Sequence, residues 1–279
     1  MMKKITKWGL GFLCLWLLML AACSAQTINM KKYTASRTTT LYVHGYGGSV
    51  RSTNHMINAA VDAHAATKAL VADVSKTGRI TWHGRWSNKA DNPIVQVAFQ
   101  NSKAPVDQNT KWLTAILEQL YTKYHVRTFN GVGHSNGSVD LIDYAVTSAN
   151  NRHVPKLNKL VTIAGPFDGI TFVNDKPNTN YFEKDGRPKH IYTTYADLLS
   201  KRQNFPHHVK ILNIYGNQED GSNSDGDVST VSARSLQYLL RDKTASYQEK
   251  EITGKHAQHS QLHENSTVDH AVIQFLWGK

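Results

Sequence analysis

The chain has 279 residues, with 32 Lys and Arg against 21 Asp and Glu, a formal net charge of +11 and only two cysteines. That length suits one α/β domain, and no internal repeat or low-complexity tract divides it; two cysteines exclude a disulfide framework, so the fold has to be held by its core. The basic residues are scattered without an arginine-rich block or recognition motif, so no nucleic-acid partner is expected, and the charge suits solubility or attraction to anionic lipid and wall polymers.

The N-terminus reads as an export signal. Lys3, Lys4 and Lys7 precede an apolar run over 8–20 that is too short to span a membrane comfortably but has the length of a signal-peptide core. The run ends in Leu20-Ala21-Ala22-Cys23-Ser24, which resembles the bacterial lipoprotein signal, where the cysteine after small residues is lipid-modified and becomes the first residue. The resemblance implies a leader over 1–22, a two-chain lipid anchor on Cys23 and a place outside the cytoplasm on the cell membrane. Cys14 leaves with the leader, so no disulfide remains. Residues 23–37 are polar with scattered lysines and read as a short tether.

Strand-like and helix-like patterns then alternate. A strand is expected over 38–43, running into His44-Gly45-Tyr46-Gly47-Gly48-Ser49, then a helix over 51–69, strands over 79–84 and 94–99, and a helix over 108–124. Strand 127–132 meets Gly133-His134-Ser135-Asn136-Gly137, followed by a helix over 137–149. Strand, tight turn and helix around G-x-S-x-G form a nucleophile elbow, which exposes the serine hydroxyl on a strained turn. Ser135 is therefore the candidate nucleophile; an alkyl hydroxyl reacts only when an adjacent base takes its proton.

After a strand at 158–164 the alternation lapses over 167–206, a stretch rich in Asn, Asp, Lys, Tyr and Pro with one helix-like run at 194–202. Strand 209–215 leads into an acidic turn holding Glu219, Asp220, Asp225 and Asp227. Strand 246–253 leads into a loop holding His256, His259 and His263, and a helix over 268–277 closes the chain. Strands alternating with helices predict a mostly parallel sheet covered on both faces.

H-G-x-G-G after an early strand, followed by G-H-S-x-G, resembles the α/β-hydrolase superfamily, and within it the bacterial cell-surface, DUF915-like lipase and esterase branch. The resemblance implies an α/β-hydrolase fold with a small cap insertion over 167–206, and an oxyanion hole made by the backbone N–H groups of Tyr46 and Asn136. It selects Asp225 as the acid, because D-G-x-V fits Asp225-Gly226-Asp227-Val228, with Asp227 the nearest rival and Asp220 and Glu219 behind it. It selects His259 as the base, because H-x-x-L before an Asn and the last helix fits His259, Leu262 and Asn265, with His263 and His256 as alternatives.

Metal chemistry fits poorly. His259 and His263 stand four apart, yet Ser260 occupies the position where a zincin needs Glu. An EF-hand register on Gly226 puts Gly221 first and Ser232 twelfth, so both anchor ligands are missing. No cofactor is expected. The implied activity is hydrolysis of a small-molecule ester by a Ser135, Asp225 and His259 triad, and the polar cap favours short or soluble esters over insoluble fat. Aromatic residues Phe167, Phe172, Tyr181, Phe182, Tyr192 and Tyr195 either pack the insertion down or line an acyl or aryl pocket. Peptidases, thioesterases and acyltransferases use the same triad, and an idle fold serving as a surface binding module is the alternative of a different class.

Overall fold

A computed structural model of the chain describes residues 32–148 and 151–279. The expected leader, Cys23 and most of the tether lie outside the described residues. Eight strands, β1 (Thr39–Val43), β2 (Thr67–Val74), β3 (Ile80–Gly84), β4 (Pro93–Phe99), β5 (Thr128–His134), β6 (Lys156–Ile163), β7 (Lys210–Asn217) and β8 (Ser246–Thr253), form one sheet in the order β3-β2-β4-β1-β5-β6-β7-β8. Every neighbouring pair is parallel except β2 with β3.

The α-helices of the described residues are α1 (Arg51–Asp62), α2 (Val106–Lys123), α3 (Asn136–Ser148), α4 (Thr193–Lys201), α5 (Thr230–Leu239) and α6 (Ser266–Trp277). They cover both faces of the sheet. Leu41 and Val43 of β1 enter one core with α2, α3, α4 and α5, whereas Tyr42 between them enters the other with α1 and α6. Strands buried on two sides read as unbroken apolar runs, and helices above and below are what bury them. At one sheet edge β8 carries Glu249, Lys250 and Glu251, charges that discourage pairing with another chain.

The helix expected over 51–69 is too long, and the strand β2 within 67–74 was not anticipated. Residues 65–72 are rich in alanine and leucine, which on propensity continue a helix. Instead α1 ends at Asp62, His64 takes a left-handed φ of 54°, and the chain re-enters the sheet between β3 and β4. Long-range pairing overrides the local preference there. Residues 33–37, at the end of the expected tether, belong to the domain: Tyr33 bridges to Gly278, Thr34 N–H donates to Trp277 O, and Asn92 Nδ2 donates to Thr34 O.

Because β1, β5, β7 and β8 are parallel, their C-terminal ends lie at one rim of the sheet. The loops after them carry the oxyanion-loop glycines, the serine, the acidic turn and the histidine loop. Such a rim is where ligands bind in open α/β sheets. Segment 167–206, between β6 and β7, holds α4 and contributes to the wall of the cavity at this rim.

Candidate active site

Ser135 follows β5 directly and has a φ of 54°, in the left-handed region, before α3 begins at Asn136. A non-glycine residue held there is strained, and the surroundings over-determine it. Gly137 lets the start of α3 lie against β1: a Cβ on it would sit 2.5 Å from Val43 O and 2.7 Å from His44 O. Gly45 likewise lets the loop after β1 approach the nucleophile, since a Cβ there would lie 2.7 Å from Ser135 Cβ.

The three expected side chains meet. Ser135 Oγ lies 2.8 Å from His259 Nε2, and His259 Nδ1–H donates to Asp225 Oδ2 at 2.9 Å. Asp225 is buried, and its other oxygen accepts the N–H groups of Asp227 at 3.0 Å and Val228 at 2.7 Å. The backbone locks the pair as well, with His259 N–H donating to Asp225 O at 2.8 Å. Of the rival acids, Asp227, Asp220 and Glu219 make no bond to the His259 ring. Of the rival bases, His263 packs edge-on against His134 with ring centroids 4.6 Å apart, and His256 makes no contact with Ser135.

The electrostatics separate His259 from its neighbours. Burial works against charge on its ring, but the Asp225 hydrogen bond and charge, with a contribution from Asp227, outweigh it and raise its proton affinity. His134 goes the other way, pushed well below the ordinary histidine value by burial and by His259 and His263 nearby. Burial also lowers His44 and His263. One imidazole is thus pushed toward the protonated form while its three neighbours are pushed away from it.

Two supporting histidines were not singled out from sequence. His44 donates Nδ1–H to Gly45 O at 2.8 Å and accepts Phe99 N–H on Nε2 at 3.1 Å, so it is held as one neutral tautomer that braces the loop after β1. His134 donates Nε2–H to His259 O at 3.0 Å and packs its ring 5.0 Å from the His259 ring. The signal for both was position, directly before the glycine loop and directly before the nucleophile.

Tyr46 and Asn136, whose N–H groups were expected to form the oxyanion hole, both border the same cavity of about 580 Å³ as Ser135 and His259. Gly47 N–H and Gly48 N–H are taken by Ser102 O and Gly45 O, whereas among the described residues the N–H groups of Tyr46 and Asn136 have no acceptor. Of the six aromatic residues named in segment 167–206, Phe172 lines the cavity; Phe167 and Tyr195 are buried in the core. Among the described residues no group of three or more His, Cys, Asp or Glu is arranged to hold a metal ion, and no helix is long and apolar enough to cross a membrane.

Residues 27–279 match the model of a family described as "Alpha/beta hydrolase of unknown function (DUF915)". Among solved structures, the product of a Listeria innocua gene is 27% identical with a TM-score of 0.80, covering 86% of this chain and 94% of its own. A proposed cell surface hydrolase from Lactobacillus plantarum is 20% identical with a TM-score of 0.69, covering 87% and 91%. The Bacillus licheniformis lipase BlEst2 shares the fold at 16% identity and a TM-score of 0.51, covering 89% and 98%. No curated protein matches the chain. With nearly all of the chain spanned by the family model, this protein is a member of the DUF915 family of alpha/beta hydrolases.

Proposed function

We propose that this chain is a serine hydrolase of carboxylic esters that works outside the cytoplasm, anchored to the cell membrane through lipid on Cys23. The observation that carries the reading is the continuous hydrogen-bonded chain from Ser135 Oγ through His259 to Asp225 at the wall of an open cavity.

In the acylation step Ser135 Oγ attacks the ester carbonyl carbon while its proton passes to His259 Nε2. The tetrahedral oxyanion is held by Tyr46 N–H and Asn136 N–H, each worth about 3 kcal/mol of barrier. The carbon–oxygen bond to the alcohol breaks, and His259 returns the proton to the departing oxygen. Water then attacks the acyl-serine, giving one proton to His259 and its oxygen to the carboxylic acid, and the proton returns to Ser135. Asp225 holds the ring tautomer and stabilises the imidazolium throughout.

Turnover of a panel of p-nitrophenyl acyl esters by wild type, and its loss in Ser135→Ala, tests the reading, together with labelling of Ser135 by a fluorophosphonate. No hydrolysis at any chain length and no labelling would leave a binding module instead. Incorporation of labelled lipid that disappears in Cys23→Ser tests the anchor.

A further inference from the structure

Asp227 enters the mechanism only through the charge of its carboxylate on the His259 ring. Its backbone is fully used, the N–H by Asp225 Oδ1 and the C=O by Thr171 N–H, but among the described residues its carboxylate accepts no hydrogen bond and meets no Lys or Arg. It is half-buried at the cavity wall, close enough to His259 for its charge to act on that ring. In a chain of net charge +11, among the described residues no lysine or arginine lines this cavity, and Asp227 is its one carboxylate. The neighbouring histidines His134 and His263 are shifted toward neutrality by burial, so they do not offset it.

The cavity mouth adds a second feature. Among the described residues four large apolar side chains are exposed, and three of them, Tyr46 (63%), Phe172 (73%) and Val173 (69%), line this cavity. Aromatic faces beside a lone carboxylate form the environment that binds an ammonium group, through ring quadrupole and charge together. Lys103 Nζ stands 6.0 Å from the Tyr46 ring centroid but is not a lining residue of the cavity.

We propose that the cavity selects esters carrying a positively charged ammonium group, recognised by the Asp227 carboxylate and the rings of Tyr46 and Phe172. This deepens the ester-hydrolase reading and rests on it. An anionic ester meets the same carboxylate as a repulsion, so substrate choice runs from cationic through neutral to anionic.

The test uses two pairs of isosteres at pH 8. Acetylcholine and 3,3-dimethylbutyl acetate differ in charge on the alcohol; the p-nitrophenyl esters of 4-(trimethylammonio)butanoic and 5,5-dimethylhexanoic acid differ in charge on the acyl group. In at least one pair the cation is expected to have a kcat/KM about tenfold higher, as one partly solvated ion pair with a cation–π contact supplies. That ratio should fall to near one in Asp227→Asn, and partway in Phe172→Ala. Because Asp227 also raises the proton affinity of His259, Asp227→Asn is expected to slow both members of a pair; only the ratio reports selection. Equal constants within both pairs in wild type, or a preference that survives Asp227→Asn, would overturn the proposal while leaving ester hydrolysis intact. No turnover of any of the four esters would overturn both.

Discussion

Asp225→Asn is the sharpest perturbation of this site, because the structure dictates which way the new amide must face. One carboxylate oxygen accepts two backbone N–H groups, from Asp227 and Val228, and the other accepts His259 Nδ1–H. An asparagine that keeps its oxygen on the backbone donors retains both bonds and turns its NH₂ toward Nδ1. The reverse orientation leaves two donors without an acceptor at a buried site, roughly 1–3 kcal/mol each. The first orientation wins, so Nδ1 must accept and the ring proton moves to Nε2. There it donates to Ser135 Oγ and can no longer take the serine proton. Loss of the base in this way costs about 10⁴ in kcat, close to 5.5 kcal/mol of barrier. Stability should change little, about 1 kcal/mol or some 2–4 °C in Tm, since the backbone bonds survive. The assay is kcat on p-nitrophenyl acetate beside a thermal unfolding curve. A folded variant within tenfold of wild type would refute the tautomer argument, and with it the role of Asp225.

Gly137→Ala should destabilise by about 3 kcal/mol or more and abolish activity, because the added carbon meets backbone oxygens of Val43 and His44 that cannot move independently of β1; an unchanged unfolding curve would contradict the close approach. Because His259 must be neutral to act as base and its proton affinity is raised, the acid limb of kcat/KM against pH should have its midpoint above 6.5, and lower in Asp227→Asn. Within segment 167–206, burial lifts the Asp168 carboxyl from 3.8 to about 6, partly offset by hydrogen bonds from Tyr192 N–H and Asn180 and reinforced by Asp175. Its folded state therefore holds a proton that the unfolded state releases between about pH 4 and 6. Relative to Asp168→Asn, wild type should lose up to about 3 kcal/mol of stability as pH rises through that window, read from urea unfolding curves; a flat or rising difference would contradict it.

Much of the site was legible because its signals are local. G-H-S-N-G between an apolar run and a helix pattern specifies a turn whose backbone needs glycine on both sides, and Gly137 does sit against backbone oxygens. The alternation of strands and helices likewise required a parallel sheet covered on both faces, which is what β1 and its two cores form. Less was legible at β2, where an alanine-rich segment has a helical preference and the strand partners lie on β3 and β4, outside the segment itself. The aromatic residues of segment 167–206 were equally undecided, since nothing in their order distinguishes Phe172, at the cavity, from Phe167 and Tyr195, in the core.

The amino-acid string by itself determined the architecture, the candidate nucleophile and the two loops that hold the candidate acid and base, because each rests on contiguous residues whose conformations their neighbours restrict. Only the tertiary structure brings Asp225 rather than Asp227 onto the His259 ring, and His259 rather than His263 onto Ser135. That choice is made through space, between groups 34 and 124 positions apart, and is settled by strand register and by which carboxylate the turn's own N–H groups hold against the ring.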